Sequence, residues 1–158
     1  MKAVILFSHG SLLCGAEQNL LELASRMRGR SDAPVVEVAF LNYTEPDLAT
    51  AVQRCVEQGA TRIVIAPYFL IAGKFVIEDL PATIAAVQPR YPQVRFDTAG
   101  VIGFHPTLAR AVLSSAAFAR PAADWKARRS DNRAWCREQP KCPLYGSDAC
   151  RVRVEVPA

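Results

Sequence analysis

The chain has no apolar run approaching the ~18 residues that a membrane span requires. This excludes a transmembrane helix as its organising element. Histidine is scarce, with two in 158 residues, so imidazole chemistry can sit only at His9 or His105. Neither glycine-rich phosphate cradle is present, because Gly10 has no partner glycines at P-loop or dinucleotide spacing. A nucleophile elbow is missing as well. In Ser8-His9-Gly10-Ser11 the hydroxyls adjoin an imidazole, but sequence neighbours on a strand point to opposite faces, which argues against a hydrolase triad. No repeat of solenoid period occurs. Met1-Lys2-Ala3-Val4-Ile5 enters a strand directly and lacks a small-residue cleavage site, which predicts a cytoplasmic protein. In that compartment the five cysteines read as thiols or metal ligands, not as a disulfide framework.

What is present fits one soluble globular domain of ordinary size, with 51% hydrophobic and 22% charged residues. The net charge of +4 has a location: Arg120, Lys126, Arg128, Arg129, Arg133, Arg137, Lys141, Arg151 and Arg153 all fall in the last quarter. Such a segment can meet a polyanion or form a solvated basic tail. Without a recognition motif or interleaved aromatics, it does not point to a nucleic-acid partner.

Strand and helix patterns alternate from residue 2 to about residue 118. Strands are expected at Lys2–Phe7, Val35–Leu41, Arg62–Ala66 and Val94–Thr98. The first helix, from about Gly15 to Arg28, carries Ala16, Leu20, Leu23, Ala24 and Met27 on one face and ends at Gly29. The second opens at Thr44-Glu45-Pro46-Asp47, with Thr44 as N-cap, and buries Leu48, Ala51, Val52, Cys55 and Val56 up to Gly59. The third runs from about Ile77 to Gln88 with Pro81 early in it. The last starts at Pro106 and carries Leu108, Ala111, Val112 and Ser115. Strict alternation predicts an α/β fold: a parallel four-stranded sheet with helices on both faces. From about Arg120 the periodicity fades while proline, charge and cysteine rise. Residues 1–119 therefore read as the α/β domain and 120–158 as an irregular, basic, cysteine-containing C-terminal extension.

In open α/β sheets, ligands bind in the crevice outside the carboxyl ends of the strands. His9 ends the first strand there, and an imidazole can take a proton or hold a metal near neutral pH. The first βα loop adds Ser11, and the second adds Asn42 and Glu45. Glu45 reads as first-turn helix electrostatics. The third is the long loop Tyr68-Phe69-Leu70-Ile71-Ala72-Gly73-Lys74-Phe75. The fourth places His105 just before its helix, as a helix-start residue bonded to backbone or as a metal ligand brought towards His9.

Three stretches in order and spacing give the chain a family likeness: Ile5-Leu6-Phe7-Ser8-His9-Gly10-Ser11; Val38-Ala39-Phe40-Leu41 with Glu45-Pro46; and Ala66-Pro67-Tyr68-Phe69-Leu70 through Gly73 to Glu78-Asp79-Leu80-Pro81. Over about residues 2 to 115 the chain resembles the sirohydrochlorin chelatases of the small CbiX/SirB type. The resemblance implies insertion of a divalent metal, Co²⁺ or Fe²⁺, into an anionic tetrapyrrole of cobalamin or siroheme biosynthesis. It also implies a homodimer, with His9 as base and metal ligand. Ser11, Asn42, Gly73, Lys74 and Phe75 fall on the substrate side. Two positions depart from the family's usual histidine–glutamate–histidine set, since Asn42 stands for the glutamate and Phe75 for the second histidine. Asn42 can hydrogen-bond but cannot take a proton, and Phe75 can do neither. Three readings stay open. His105 or Glu45 replaces the lost ligand; His9 works with a substrate acetate; or the protein binds a tetrapyrrole without metallating it. In each, Lys74 can meet a substrate carboxylate and Phe75 can lie against the macrocycle.

Cys136, Cys142 and Cys150 form a set spaced by five and seven intervening residues, with Cys14 as a conceivable fourth thiol. Thiolates bind zinc and iron–sulfur clusters, and free thiols in a tail are the alternative. The family resemblance favours an iron–sulfur cluster.

Overall fold

A computed structural model describes residues 1–11, 17–29, 34–119 and 121–123. These fall into two units, one spanning Met1–Phe104 and one opening at His105.

The first unit is built on four parallel strands: β1 (Lys2–Ser8), β2 (Val35–Phe40), β3 (Arg62–Pro67) and β4 (Arg95–Thr98), in the order β2-β1-β3-β4. β1 is central, pairing Ile5 with Glu37 on one side and with Ile65 on the other. Central parallel strands are covered on both faces, which is why β1 reads as a near-continuous apolar run. Alternate side chains feed two cores. Ala3, Ile5, Phe7, Ala39, Ile63 and Ile65 face α2 (Leu48–Glu57) and α3 (Leu80–Val87). Leu6, Val36, Val38 and Phe40 face α1 (Gln18–Met27), which contributes Leu20 and Ala24. Fully burying a side chain such as Ile5 or Phe7 contributes about 1.5–3 kcal/mol. The expected α/β sheet with helices on both faces is what forms.

Cys55 is fully buried on the inner face of α2, and burial pushes its thiol up to about 12. A thiol held protonated is a poor nucleophile and a poor ligand, so Cys55 serves as a small apolar side chain.

Two helix starts differ from the sequence reading. α2 starts at Leu48, capped by Asp47, whose carboxylate accepts from the Thr50 N–H at 2.8 Å. Thr44 does not cap it. Its hydroxyl accepts from the Ser11 N–H and donates to the Ser11 carbonyl, both at 3.0 Å, so a contact between two loops outcompetes the local cap. Glu45 correspondingly lies outside the helix, accepting from the Asp47 N–H at 3.2 Å instead of sitting in its first turn. The third helix begins earlier than expected, as a wider π-type turn over Phe75–Asp79 in which the Leu80 N–H reaches the Phe75 carbonyl. Pro81 gives the reason: its ring crowds the carbonyl four residues back, on Ile77, and opens the preceding turn.

Hydrogen bonds from Thr50, side chain first and then backbone, hold the Asp47 carboxyl below its ordinary value. A carboxylate stabilised in this way contributes above about pH 3.8, and the contribution fades as pH falls through its lowered folded value. Asp47→Ala is therefore expected to cost about 1 kcal/mol at pH 7, the usual worth of an N-cap. Denaturant melts of both proteins should show the gap closing below about pH 3.8. A gap that persists at pH 2 contradicts the capping account.

In the second unit, α4 (Pro106–Ala117) starts at its proline as expected. The stripe does not become a core face, for Leu108 is half-buried while Ala111, Val112 and Ser115 are exposed. An apolar stripe marks a face able to be covered, and the cover must come from another element. No helix among the described residues is long and apolar enough to cross a membrane.

Candidate functional site

The strand order sets the place. From β1 the chain moves to β2 on one side and then crosses to β3 on the other. The loops leaving β1 and β3 therefore diverge to opposite faces and leave a crevice between them, the topological switch point of such a sheet. His9 follows β1 directly, and the loop ending in Phe75 follows β3.

Backbone pairing continues past the formal strand ends and holds His9 from both sides. On the β2 side, Leu41 N–H donates to the Ser8 carbonyl and Asn42 N–H to the His9 carbonyl, each at 2.9 Å. On the β3 side, Tyr68 N–H donates to the Phe7 carbonyl at 2.7 Å. Gly10 completes the turn with φ +86°, a left-handed conformation open to glycine. It packs directly on the Asn42 carbonyl, where no side chain fits.

The His9 imidazole is half-buried, with four near neighbours. Nδ1 lies 3.2 Å from the Gly10 carbonyl. A carbonyl only accepts, so Nδ1 carries the proton in this contact and Nε2 keeps the lone pair. The Asn42 amide Nδ2 donates to Nε2 across 3.5 Å, a long and easily displaced bond. Phe75 lies against the ring with centroids 4.4 Å apart, and Tyr43 meets it edge-on at 5.7 Å. Phe69 bridges Phe75 to the core, 6.3 Å from Phe75 and 6.5 Å from Phe7. An aromatic column thus runs from the sheet interior to the imidazole. The arrangement presents one basic nitrogen beside aromatic rings, next to a loop that exposes Leu70 and Ile71.

The structure brings together His9, Asn42 and Phe75, and places Ser11 in the same turn through its backbone pair with Thr44. Gly73 supplies the carbonyl that opens the Phe75 turn, accepting from Val76 and Ile77 N–H. Lys74 Nζ stands 3.7 Å from the Asp79 carboxylate with its side chain mostly exposed. Such a pair is worth little and leaves the ammonium ready to exchange partners. His105 belongs to the second unit, where it caps α4: Thr107 N–H donates to Nδ1 at 3.3 Å, and the Thr107 hydroxyl lies 2.7 Å away. Cys14, Cys136, Cys142 and Cys150, and with them the zinc or cluster ligand set, lie outside the described residues. Among the described residues no three of His, Cys, Asp and Glu converge as a metal site.

Sequence reasoning passed over Tyr43 and treated Phe69 only as loop. The available signal was an aromatic at each βα junction, next to residues already singled out.

Fold and site together define a parallel α/β protein with a strand-tip imidazole at its switch point. The chain belongs to the CbiX family, whose profile matches residues 3–118. It is similar to the sirohydrochlorin cobaltochelatase of Methanocaldococcus jannaschii, 33% identical over 91 residues that cover 58% of this chain and 64% of that protein. It is also similar to the sirohydrochlorin ferrochelatase of Bacillus subtilis, 34% identical over 113 residues, covering 71% of this chain and 43% of the relative. Among solved structures, SirB from Bacillus subtilis with Fe³⁺ superposes with a TM-score of 0.66 at 32% identity, covering 72% of this chain and 45% of that one. The chain thus spans less than two thirds of the length of these relatives.

Proposed function

We propose that the protein is a chelatase that places Co²⁺ or Fe²⁺ into sirohydrochlorin or a closely related anionic tetrapyrrole. The observation that supports this reading is the setting of His9, whose Nδ1 meets the Gly10 carbonyl and whose Nε2, with only a long contact to Asn42, keeps its lone pair beside the Phe75 and Tyr43 rings. Metal insertion needs a base for the pyrrole N–H protons and a group that steadies the ion while it sheds water. The Nε2 lone pair serves both in turn. Phe75 and Tyr43 supply flat apolar surface for the macrocycle, and Lys74 supplies a cation for one of its carboxylates. The similarity to proteins named cobaltochelatase and ferrochelatase supports both metals equally. A homodimer and a cytoplasmic location belong to the same proposal.

A second reading has its own observation. The Phe75 ring stands at 4.4 Å from the imidazole, where it adds no ligand, which suits a carrier that binds the ring without metallating it. One experiment separates them. Purified protein, sirohydrochlorin and Co²⁺ are mixed without oxygen, and the visible spectrum of the ring is followed. Insertion well above the protein-free rate is expected. Quenching of the ring's fluorescence without any rate enhancement rejects the chelatase in favour of the carrier.

A further inference from the structure

An ion that binds before the macrocycle is held by protein donors and its remaining waters, and lasting protein zinc sites present three or four protein donors. Around His9 the neighbours are of another kind. The Phe75 ring offers no lone pair, Tyr43 presents a ring edge, and Asn42 turns its amide nitrogen, a donor, towards Nε2. Among the described residues no group of three or more His, Cys, Asp and Glu forms around the imidazole. The same surroundings offer apolar and aromatic surface to a flat ring. Phe75 is 38% exposed on the rim, backed by Phe69 and Phe7, with the exposed Leu70 and Ile71 in the loop before it.

We infer that Phe75 sets the order of binding: the macrocycle docks first, and the ion is captured second. This rests on the chelatase reading above and specifies how that site takes its two substrates. The docked ring contributes the donors that the described residues around His9 do not supply. As the ion bonds to its four nitrogens, two pyrrole N–H bonds break, and their protons leave by way of His9 Nε2 to solvent. The ion keeps its oxidation state throughout. Phe75 is therefore a specificity-determining residue for the free macrocycle, and it bars a stable complex with the ion alone.

The test compares Co²⁺ binding to the protein without macrocycle in four forms: the native chain, His9→Ala, Phe75→His and Phe75→Leu. Subtracting the His9→Ala isotherm isolates the ion held at His9 from any held by thiols elsewhere. Phe75 is on the rim, so both substitutions leave the core intact. The native chain is expected to show no His9-dependent Co²⁺ binding, while sirohydrochlorin alone still quenches on binding. Phe75→His, which adds a second imidazole, should gain His9-dependent affinity by at least the ~10–100-fold that even outer-shell partners of a metal command. Phe75→Leu, apolar and donor-free, should gain none. In turnover, pre-incubation with sirohydrochlorin should remove any lag and pre-incubation with Co²⁺ should not.

Native binding of Co²⁺ at His9 as tight as in Phe75→His overturns the ordered scheme while leaving the chelatase intact. So does a gain in Phe75→Leu equal to that in Phe75→His. A protein that neither binds sirohydrochlorin nor inserts metal in either order removes the chelatase reading, and the ordered scheme falls with it.

Discussion

His9→Ala is expected to lower the rate of metal insertion by about 10²–10⁴-fold, the usual worth of a positioned general base. Among the described neighbours in this cluster the imidazole supplies the basic nitrogen, because the Gly10 carbonyl engages Nδ1 and Asn42 contacts Nε2 only across 3.5 Å. Neither Asn42 nor Phe75 can accept the pyrrole proton in its place. Affinity for the metal-free macrocycle should change far less if, as proposed, Phe75, Tyr43 and Lys74 carry most of that contact. The measurements are the initial rate from the visible absorbance of the ring and the dissociation constant from fluorescence quenching. A rate loss of only a few-fold, with folding intact, means that another group takes the proton.

Gly10→Ala should damage both fold and site. A Cβ at this position is driven into the Asn42 carbonyl oxygen and comes within 3.2 Å of Thr44 Oγ1. Asn42 cannot simply retreat, because its own N–H is bonded to the His9 carbonyl and its carbonyl accepts from Thr44 N–H. Overpacking of this kind costs about 1–3 kcal/mol. The left-handed φ of +86° adds about 1–2 kcal/mol for any side chain. Gly59→Ala is the matched control, since its φ is +85° but the nearest atom is Met1 Cε at 4.0 Å. Gly59→Ala should carry only the conformational cost and leave insertion unchanged. Gly10→Ala should be less stable than that control and also lose insertion activity, because the turn that aims His9 must deform. Equal stability of the two variants refutes the packing account of the loop.

The central strands were readable in the residues because β1 and β3 are covered on both faces, and such burial leaves a short run of branched apolar side chains. The inner faces of α1 and α2 were readable for the related reason that one stripe of each meets the sheet. Leu20 and Ala24 are buried on α1, and Leu48, Ala51, Val52 and Cys55 on α2. The start of α2 was misplaced because Thr44 is a good local cap whose hydroxyl is used instead by Ser11, far away in the chain. α4 starts at its proline as expected, and of the residues it carries Leu108 is half-buried while Ala111, Val112 and Ser115 are exposed.

The same division runs through the site. The residues alone determined that an imidazole ends the first strand, that a glycine follows it, that an asparagine follows the second strand, and that a phenylalanine ends the stretch after the third. These follow from local patterning, because strand ends and turns are written in neighbouring residues. Only the tertiary structure decided that His9, Asn42, Tyr43 and Phe75 meet. That meeting depends on the order β2-β1-β3-β4, which sets the β1 and β3 loops side by side, and on a ladder that locks Asn42 beside His9. Strand order and loop contact arise from burying two faces of one sheet at once, a condition on the whole chain that no single segment carries.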